Sequence, residues 1–144
     1  MQYLFLILSF TLISASVFSQ EKDSIYTIVD EMPRFSGCED IEGTADEKKK
    51  CAEKKMLEYI WKNIKYSDAK GDNLQGGCHL LIVSFVVEKD GCINGIEVMR
   101  GDYEILNDAY TKVVSEMPCW APGKHKGKPV AVRLQLPARV RLED

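Results

Sequence analysis

The clearest pattern in the chain is an alternation of apolar and polar residues over 132–142. Apolar side chains stand at every second position, and arginine, glutamine or proline stands between them. Because alternate residues of a strand point to opposite faces of a sheet, the pattern predicts a strand with one buried face. Pro137 has no N–H to donate to a neighbouring strand, so this strand is expected at a sheet edge or at a bulge.

Two further strands are predicted upstream as a hairpin. Residues 79–87 are strongly apolar at consecutive positions, which indicates a central strand buried on both faces. Residues 89–91 are Lys-Asp-Gly, a hairpin turn signal, and 93–99 form the returning strand. A fourth β-favouring run, 25–29, is ended by Pro33.

The first predicted helix follows a polar, acidic loop over 36–46. Thr44 and Glu47 have capping-box spacing, and the helix is expected to end near Tyr66. Its apolar stripe is predicted from residues that recur at helical spacing: Leu57, Ile60, Trp61 and Ile64.

The second predicted helix has a stronger amphipathic pattern. We expect Asp102 to cap it and Pro118 to end it. Its apolar residues follow the spacing of one helix face: Leu106, Ala109, Tyr110, Val113, Val114 and Met117. Residues 119–129 are lysine-rich and are interpreted as a loop.

This order of elements predicts an α+β fold. The expected architecture is a small three-stranded antiparallel sheet backed by two helices, with residues 25–29 available as an extra N-terminal strand. The 144 residues fit one ordinary domain. A net charge of −3 gives no basic field for nucleic acid, so no nucleic-acid partner is expected.

The N-terminus predicts export. Residues 1–19 contain no charged side chain, and 3–13 are almost wholly apolar, the length of a signal-peptide core. Cleavage is expected before Gln20, which predicts an exported protein; the alternative is an uncleaved membrane anchor. The domain division is then 1–19 as signal peptide, 20–46 as N-terminal strand and stapled loop, and 47–144 as the main domain.

Export makes disulfides expected among the five cysteines. Cys38 and Cys51 bracket the polar loop and are predicted to pair. Cys92 follows the hairpin turn, and the second helix brings Cys119 back to the same end of the sheet, so these two are also predicted to pair. Cys78 is then free, unless the last three cysteines are only small apolar fillers.

No catalytic or metal site is predicted. The adjacent Cys78 and His79 would point to opposite faces of a strand, so they do not form a nucleophile and base pair. The paired carboxylates Glu39-Asp40 and Asp46-Glu47 lie in a polar loop, where a raised pKa for acid–base chemistry is not expected. The chain has two histidines and no CxxC motif, so no metal site is expected. No cofactor or small-molecule substrate is expected either.

Several motifs in fixed order resemble the C-terminal domain of TonB-type energy transducers, in the form found in Bacteroidetes. Tyr66 closes one of them. The most specific motif carries Met117, Pro118, Trp120, Pro122 and Gly123. The matching stretches are 29–35, 59–66, 83–91, 117–124, 127–130 and 136–137.

The resemblance implies a binding module, not an enzyme. Its ligand would be the TonB box, a short peptide of outer-membrane TonB-dependent receptors, added as a strand beside the last strand. The partner-binding residues are then Val132, Arg133, Leu134, Gln135, Leu136 and Arg139. Anchored in the inner membrane, the domain would also contact a motor complex there.

Three departures from the family pattern shape this expectation. Ser67 stands where proline usually follows Tyr66, and Cys119 stands where lysine is usual. No proline-rich spacer separates the apolar N-terminus from the domain, which favours a freely diffusing periplasmic relative. The alternative is an exported structural or sensory domain whose edge strand is covered by residues 25–29. Both Trp61 and Trp120 are expected to pack in the core or a loop.

Overall fold

A computed structural model describes residues 24–65 and 75–142. It confirms the predicted α+β class: two helices and a three-stranded antiparallel sheet, with a small two-stranded hairpin beside it. In chain order the elements are α1 (Ala45–Asn63), β1 (Gly77–Val87), β2 (Ile93–Arg100), α2 (Glu104–Ser115), β3 (Gly123–His125), β4 (Lys128–Val130) and β5 (Val132–Leu142).

The sheet has the order β2-β1-β5, so β1 is central and β5 is an edge strand, as the alternation and Pro137 predicted. β5 pairs with β1 residue by residue from Val132 opposite Val87 to Leu142 opposite Gly77. β2 pairs with β1 less regularly, with two register shifts. The two edges of the sheet therefore differ: one is a straight, continuous strand and the other is bulged.

The core lies between one face of the sheet and the two helices. Phe85 of β1 is fully buried there, and Trp120 packs against it with ring centroids 5.5 Å apart. Phe35, from the N-terminal segment, completes the aromatic group at 5.7 Å from Trp120. Other buried members of this core are Met56, Ile60, Leu81, Val83, Val87, Tyr110, Val113, Val114, Met117 and Leu136.

The first helix begins as predicted but packs on a different face. Thr44 and Glu47 form the predicted capping box, and α1 ends at Asn63. Ile60 is buried with Ala52 and Met56, at four-residue spacing, whereas Leu57 is 48% and Trp61 63% exposed. The expected stripe was therefore right for Ile60 and for Ile64, which is partly buried against the core, and wrong for Leu57 and Trp61. The contact face is shifted toward Ala52 and Met56.

The second helix buries the predicted face but is not capped by Asp102. Its N-cap is Tyr103, without a side-chain hydrogen bond, and the predicted cap was wrong. The carboxylate of Asp102 instead lies 3.4 Å from Nδ1 of His79, on the neighbouring strand β1. The carboxylate that the local sequence predicted as a helix cap thus faces His79 instead of the backbone N–H groups of α2.

The lysine-rich segment expected to be a loop contains the hairpin β3–β4. The turn residues Lys126 and Gly127 have φ angles of 51° and 76°, as a two-residue hairpin turn with two left-handed positions requires. Lysine is uncommon at the first of these positions, which hid the turn in the sequence.

The N-terminal segment does not form the expected strand over 25–29. Tyr26 makes one parallel bridge to Val132, and the segment then makes antiparallel bridges from Glu31 to Lys124 and from Arg34 to Ala121. We call residues 26–38 the strap. The predicted signal peptide at 1–19 lies outside the described residues, and the domain division remains a prediction. In the part of the chain that is described, no helix has the length and apolar character needed to cross a membrane.

Candidate functional site: the free edge of β5

The outer edge of β5 presents backbone groups that its neighbour β1 does not use. The carbonyl of Ala131 and the N–H of Arg133 both point away from β1, because they bond to Tyr26 of the strap at 2.9 and 2.8 Å. Alternate residues of an antiparallel strand direct both backbone groups to the same side. The outward set therefore continues through Gln135, Pro137, Arg139 and Arg141.

Pro137 occupies a position of β5 where proline breaks no hydrogen bond to β1. Pro137 lies opposite Ile82, and its missing N–H belongs to the outward set. The ladder to β1 is intact, and the outer edge keeps the donors of Gln135, Arg139 and Arg141. Among residues 24–65 and 75–142, none pairs with the outer edge of β5 beyond the bridge to Tyr26, so residues 135–141 offer both donors and acceptors to an added strand.

The side chains of β5 divide between two faces. Leu134, Leu136, Ala138 and Val140 share the helix-covered face with the core residues of β1. The polar set shares the other face, which we call the open face. There Arg133 reaches across the sheet, with its guanidinium 3.4 Å from Ser84 Oγ and 3.7 Å from a carboxylate oxygen of Glu97.

The strap covers only the beginning of this edge. Tyr26 supplies the single bridged residue, and its ring lies 5.3 Å from that of His125. Asp30 holds the next part of the strap: its carboxylate accepts a hydrogen bond from the Lys126 N–H at 2.7 Å and lies 3.4 Å from His125 Nδ1. The strap then leaves the edge, and Ile28 is 83% exposed.

Both predicted disulfides are present and tie the strap to the rest of the fold. Cys38–Cys51 joins the end of the strap to α1. Cys92–Cys119 joins the β1–β2 turn to the segment before β3, and the Ser36 hydroxyl donates to the Cys119 carbonyl of that segment. Cys78 is free and exposed at the start of β1.

Several of the family-motif residues are buried near the segment that precedes β3. Met117 and Trp120 are buried, as predicted for Trp120. Gly123 is buried where the strap crosses, and a Cβ there would lie 2.6 Å from Val132 and 3.0 Å from Pro33. Pro118 and Pro122 border the same segment, and Tyr66 lies outside the described residues.

One residue that sequence reasoning treated only as a turn signal has a second role. Gly91 has φ +88°, and a Cβ added to it would overlap the backbone carbonyl of Trp120. The Trp120 N–H also donates to the Gly91 carbonyl at 2.7 Å. A glycine after Lys-Asp indicates a turn, but the close approach of a second segment has no sequence signal.

The charged groups near the strap are arranged for structure. The backbone N–H of Glu39 itself and, to a smaller extent, that of Gly37 at 2.7 Å hold the pKa of the Glu39 carboxyl below its usual range. A lowered pKa is the opposite of what a general acid needs. Among the described residues no group of histidine, cysteine and carboxylate side chains is placed to hold a metal ion.

Two of three comparisons with known proteins gave matches. Residues 63–142 match the family model described as "Gram-negative bacterial TonB protein C-terminal". Among solved structures, the NMR structure of the Helicobacter pylori TonB C-terminal domain is 23% identical, covering 63% of this chain and 80% of that one with a TM-score of 0.44. A search of curated proteins gave no significant match. Because the family model spans more than half of the chain, this protein belongs to the TonB C-terminal family.

Proposed function

We propose that this chain is a periplasmic peptide-binding module associated with transport through TonB-dependent outer-membrane receptors. It binds the TonB box of a receptor as an extra strand along the free edge of β5. Domains of this family are periplasmic in general and generally interact with outer-membrane receptors, which supports the proposal. The observation that carries it is the outward row of backbone donors and acceptors over 135–141.

The contrast between the two sheet edges supports this choice of site. Soluble proteins protect exposed edges with bulges and covering segments, because a straight edge pairs with other chains. β2 has two register shifts against β1, whereas β5 has none. The β2 edge of the sheet is therefore irregular and the β5 edge is regular, and strand addition requires a regular edge.

The chemistry of the site is recognition without bond making. Backbone hydrogen bonds supply the affinity of an added strand, and side-chain neighbours on the two faces supply its specificity. We assign no catalytic residue, cofactor or small-molecule substrate to the chain. A freely diffusing domain after loss of 1–19 fits this role; with 1–19 retained, contact with an inner-membrane motor complex becomes part of the proposal.

The proposal is tested by removing one outward donor without touching the fold. Gln135→Pro deletes an outward N–H, as Pro137 already does two residues later, and leaves the β1 ladder intact. Gln135→Ala is the matched control, because it removes the same side chain and keeps the N–H. The probe is a fluorescent synthetic TonB-box segment from a receptor plug of the same organism, titrated by anisotropy.

The expected result is a clear separation of the two variants. One backbone hydrogen bond contributes about 1 kcal/mol, with a range of about 0.5–1.5 kcal/mol, so Gln135→Pro should weaken binding roughly 5-fold, with a range of about 2- to 12-fold. Gln135→Ala should bind within about two-fold of the unmodified chain. Equal binding by all three proteins, or no binding by any of them, would contradict strand addition at this edge.

A second candidate function follows from the bridge at Tyr26. In that case the protein is an exported structural or sensory domain, and the strap occupies the edge instead of a receptor peptide. Tyr26→Pro removes the N–H that donates to Ala131 and separates the two readings. A rise in peptide affinity of ten-fold or more would favour the covered edge, whereas unchanged affinity would favour a partner that pairs beyond the strap, at 135–141.

The location of the chain has its own test. The mass of the protein recovered from the cell envelope under non-reducing conditions shows whether residues 1–19 are present. The mass of a chain that begins at Gln20 would support the diffusing periplasmic module and contradict energy transduction by an anchored chain. A mass that includes Met1 would support the anchored alternative.

A further inference from the structure

We infer that the strand bound at this edge alternates apolar and acidic residues, with two acidic side chains at positions i and i+2 beside Arg139 and Arg141. This inference rests on the proposed function, since it concerns the partner of the same edge. It assigns the partner's chemistry from the side chains of β5, independently of the backbone groups that hold the strand.

The regular register of β5 fixes where the partner's side chains lie. β5 pairs with β1 without a shift over its whole length, so its alternation between faces continues to Leu142. Residues directly opposite one another in neighbouring strands share a face. Side chains of an added strand opposite Arg139 and Arg141 therefore lie on the open face, and those between them lie on the helix-covered face, whichever way the strand runs.

The spacing of the arginines matches an extended peptide. Residues i and i+2 of a strand are about 6.8 Å apart, both in β5 and in the strand beside it. Two carboxylates on alternate residues of the partner can thus each face one guanidinium. This correspondence requires an extended partner with acidic residues in alternation, whereas two adjacent acidic residues would point to opposite faces.

The charges on the open face leave these two arginines available. Arg133 is already matched by Glu97 on β2, at 3.7 Å. Arg139 and Arg141 are exposed, and no described residue forms a salt bridge with either of them. The full chain has a net charge of −3, yet 132–142 contains three arginines and no acidic residue. The strand therefore carries a positive charge although the chain as a whole is negative.

The other face of the edge is apolar. Leu136 and Val140 are buried, and Ala138 between them is partly buried against the core. Apolar side chains of the partner on this side would extend the same surface, and polar ones would lose solvent without gaining a partner. The basic open face and the apolar helix-covered face together favour a partner strand that alternates acidic and apolar residues over one that is acidic throughout.

The inference is tested with matched nine-residue fluorescent peptides and the full chain. In the first peptide valines alternate with two glutamates, within threonine flanks. The second and third carry glutamine or lysine at the glutamate positions. A fourth has the composition of the first with the two glutamates adjacent, and a fifth is the first with N-methyl groups on alternate amides that would face β5.

The glutamate peptide should bind about 5- to 10-fold more tightly than the glutamine peptide at low salt, as expected for two cross-strand ion pairs. The preference should shrink as salt is added, because both arginines are exposed. The lysine peptide and the adjacent-glutamate peptide should bind more weakly than the glutamine peptide.

Charge reversal supplies the matching protein variants. Arg139→Glu with Arg141→Glu should reverse the order, so that the lysine peptide binds best. If circular dichroism shows that this double variant is unfolded, Arg139→Gln with Arg141→Gln should abolish the preference instead. Arg100→Gln, on the opposite edge strand β2, is the control and should leave the order unchanged.

The outcomes separate this inference from the proposed function. Equal binding of the glutamate and glutamine peptides, with loss of binding by the N-methylated peptide, would overturn the alternation and leave strand addition intact. Equal binding of the first and fifth peptides, or binding of none of the five, would overturn strand addition and this inference with it.

Discussion

The contact between Gly91 and Trp120 provides a stability test with a built-in control. Gly91 and Gly127 both have left-handed backbone angles, with φ of +88° and +76°. An added Cβ at Gly127 would meet nothing within 4 Å, whereas one at Gly91 would overlap the Trp120 carbonyl. Changing each glycine to alanine therefore separates the cost of the backbone conformation from the cost of the clash.

The magnitudes follow from what each substitution disturbs. A left-handed conformation costs an alanine about 1–2 kcal/mol, and this is the whole expected effect of Gly127→Ala. At Gly91 the Trp120 backbone must also move, which breaks its 2.7 Å hydrogen bond to the Gly91 carbonyl, a loss of about 1 kcal/mol. The buried Trp120 ring then loses its packing on Phe85 and Phe35, at about 0.5–1.5 kcal/mol for each aromatic pair.

Gly91→Ala should therefore destabilise the fold by about 3–6 kcal/mol, against about 1–2 kcal/mol for Gly127→Ala. Urea unfolding followed by tryptophan fluorescence measures both values, with the disulfides kept oxidised. Equal losses for the two variants would refute the reasoning, because they would show that the Trp120 segment adjusts to an alanine at no cost. A Gly127→Ala loss larger than that of Gly91→Ala would refute it more strongly.

Three further predictions concern stability. In the chain-entropy model, replacing both cysteines by serine should cost about 3 kcal/mol for Cys38–Cys51 and about 3.5 kcal/mol for Cys92–Cys119, whose separations are 13 and 27 residues; a reversed order in urea unfolding would contradict the model. Trp120→Ala should cost about 3–5 kcal/mol and Trp61→Ala less than about 0.5 kcal/mol. Equal losses by thermal unfolding would contradict the exposed position of Trp61 on α1. The backbone N–H of the N-cap residue Thr44 holds the pKa of Glu47 below its ordinary value of 4.5. The unmodified protein should therefore be more stable than Glu47→Gln above pH 4.5, and the difference should shrink as the pH falls below 4.5. A stability difference that does not change with pH would exclude a contribution from the Glu47 carboxylate.

The sheet was predictable because its strands have unambiguous patterns. Alternation identified β5, and Pro137 placed it at an edge, since a proline in a central strand would break the ladder on one side. Consecutive apolar residues identified β1 as central. These signals concern the whole length of a strand, so errors at single residues do not change the conclusion.

The packing face of α1 and the start of α2 were not predictable from spacing. Leu57 and Trp61 have the hydrophobicity of core residues, but Ala52 allows the helix to approach the core on the side of Met56 and Ile60. The choice between two adjacent faces depends on tertiary contacts that local pattern does not contain. Asp102 failed as a cap for the same reason, because His79 on β1 lies close to its carboxylate.

The edge position of β5 was predictable from the sequence, but the part of the edge that the strap covers was not. Pro137 indicated an edge strand, and the sequence resemblance implied that a partner peptide would add beside the last strand, which stays a prediction. The single bridge from Tyr26, and therefore the division of the edge into a covered start and a free remainder, depends on long-range contacts of the strap. Asp30 and His125 lie beside each other where the strap meets the β3–β4 hairpin, and neither residue stands in a sequence pattern that predicts their contact.

The distribution of covalent and noncovalent constraints gives the free edge a further property. The two disulfides and the strap's bridges are concentrated around the strap, Cys92 of the β1–β2 turn and the start of β5. Residues 135–141, farther along β5, are held by the regular ladder to β1. If a partner strand adds as proposed, it would meet an edge that the ladder already holds extended, so no binding energy would be spent on ordering that edge. The cost of ordering would fall on the peptide alone, and the peptide's own preference for an extended, alternating sequence would then contribute to the affinity.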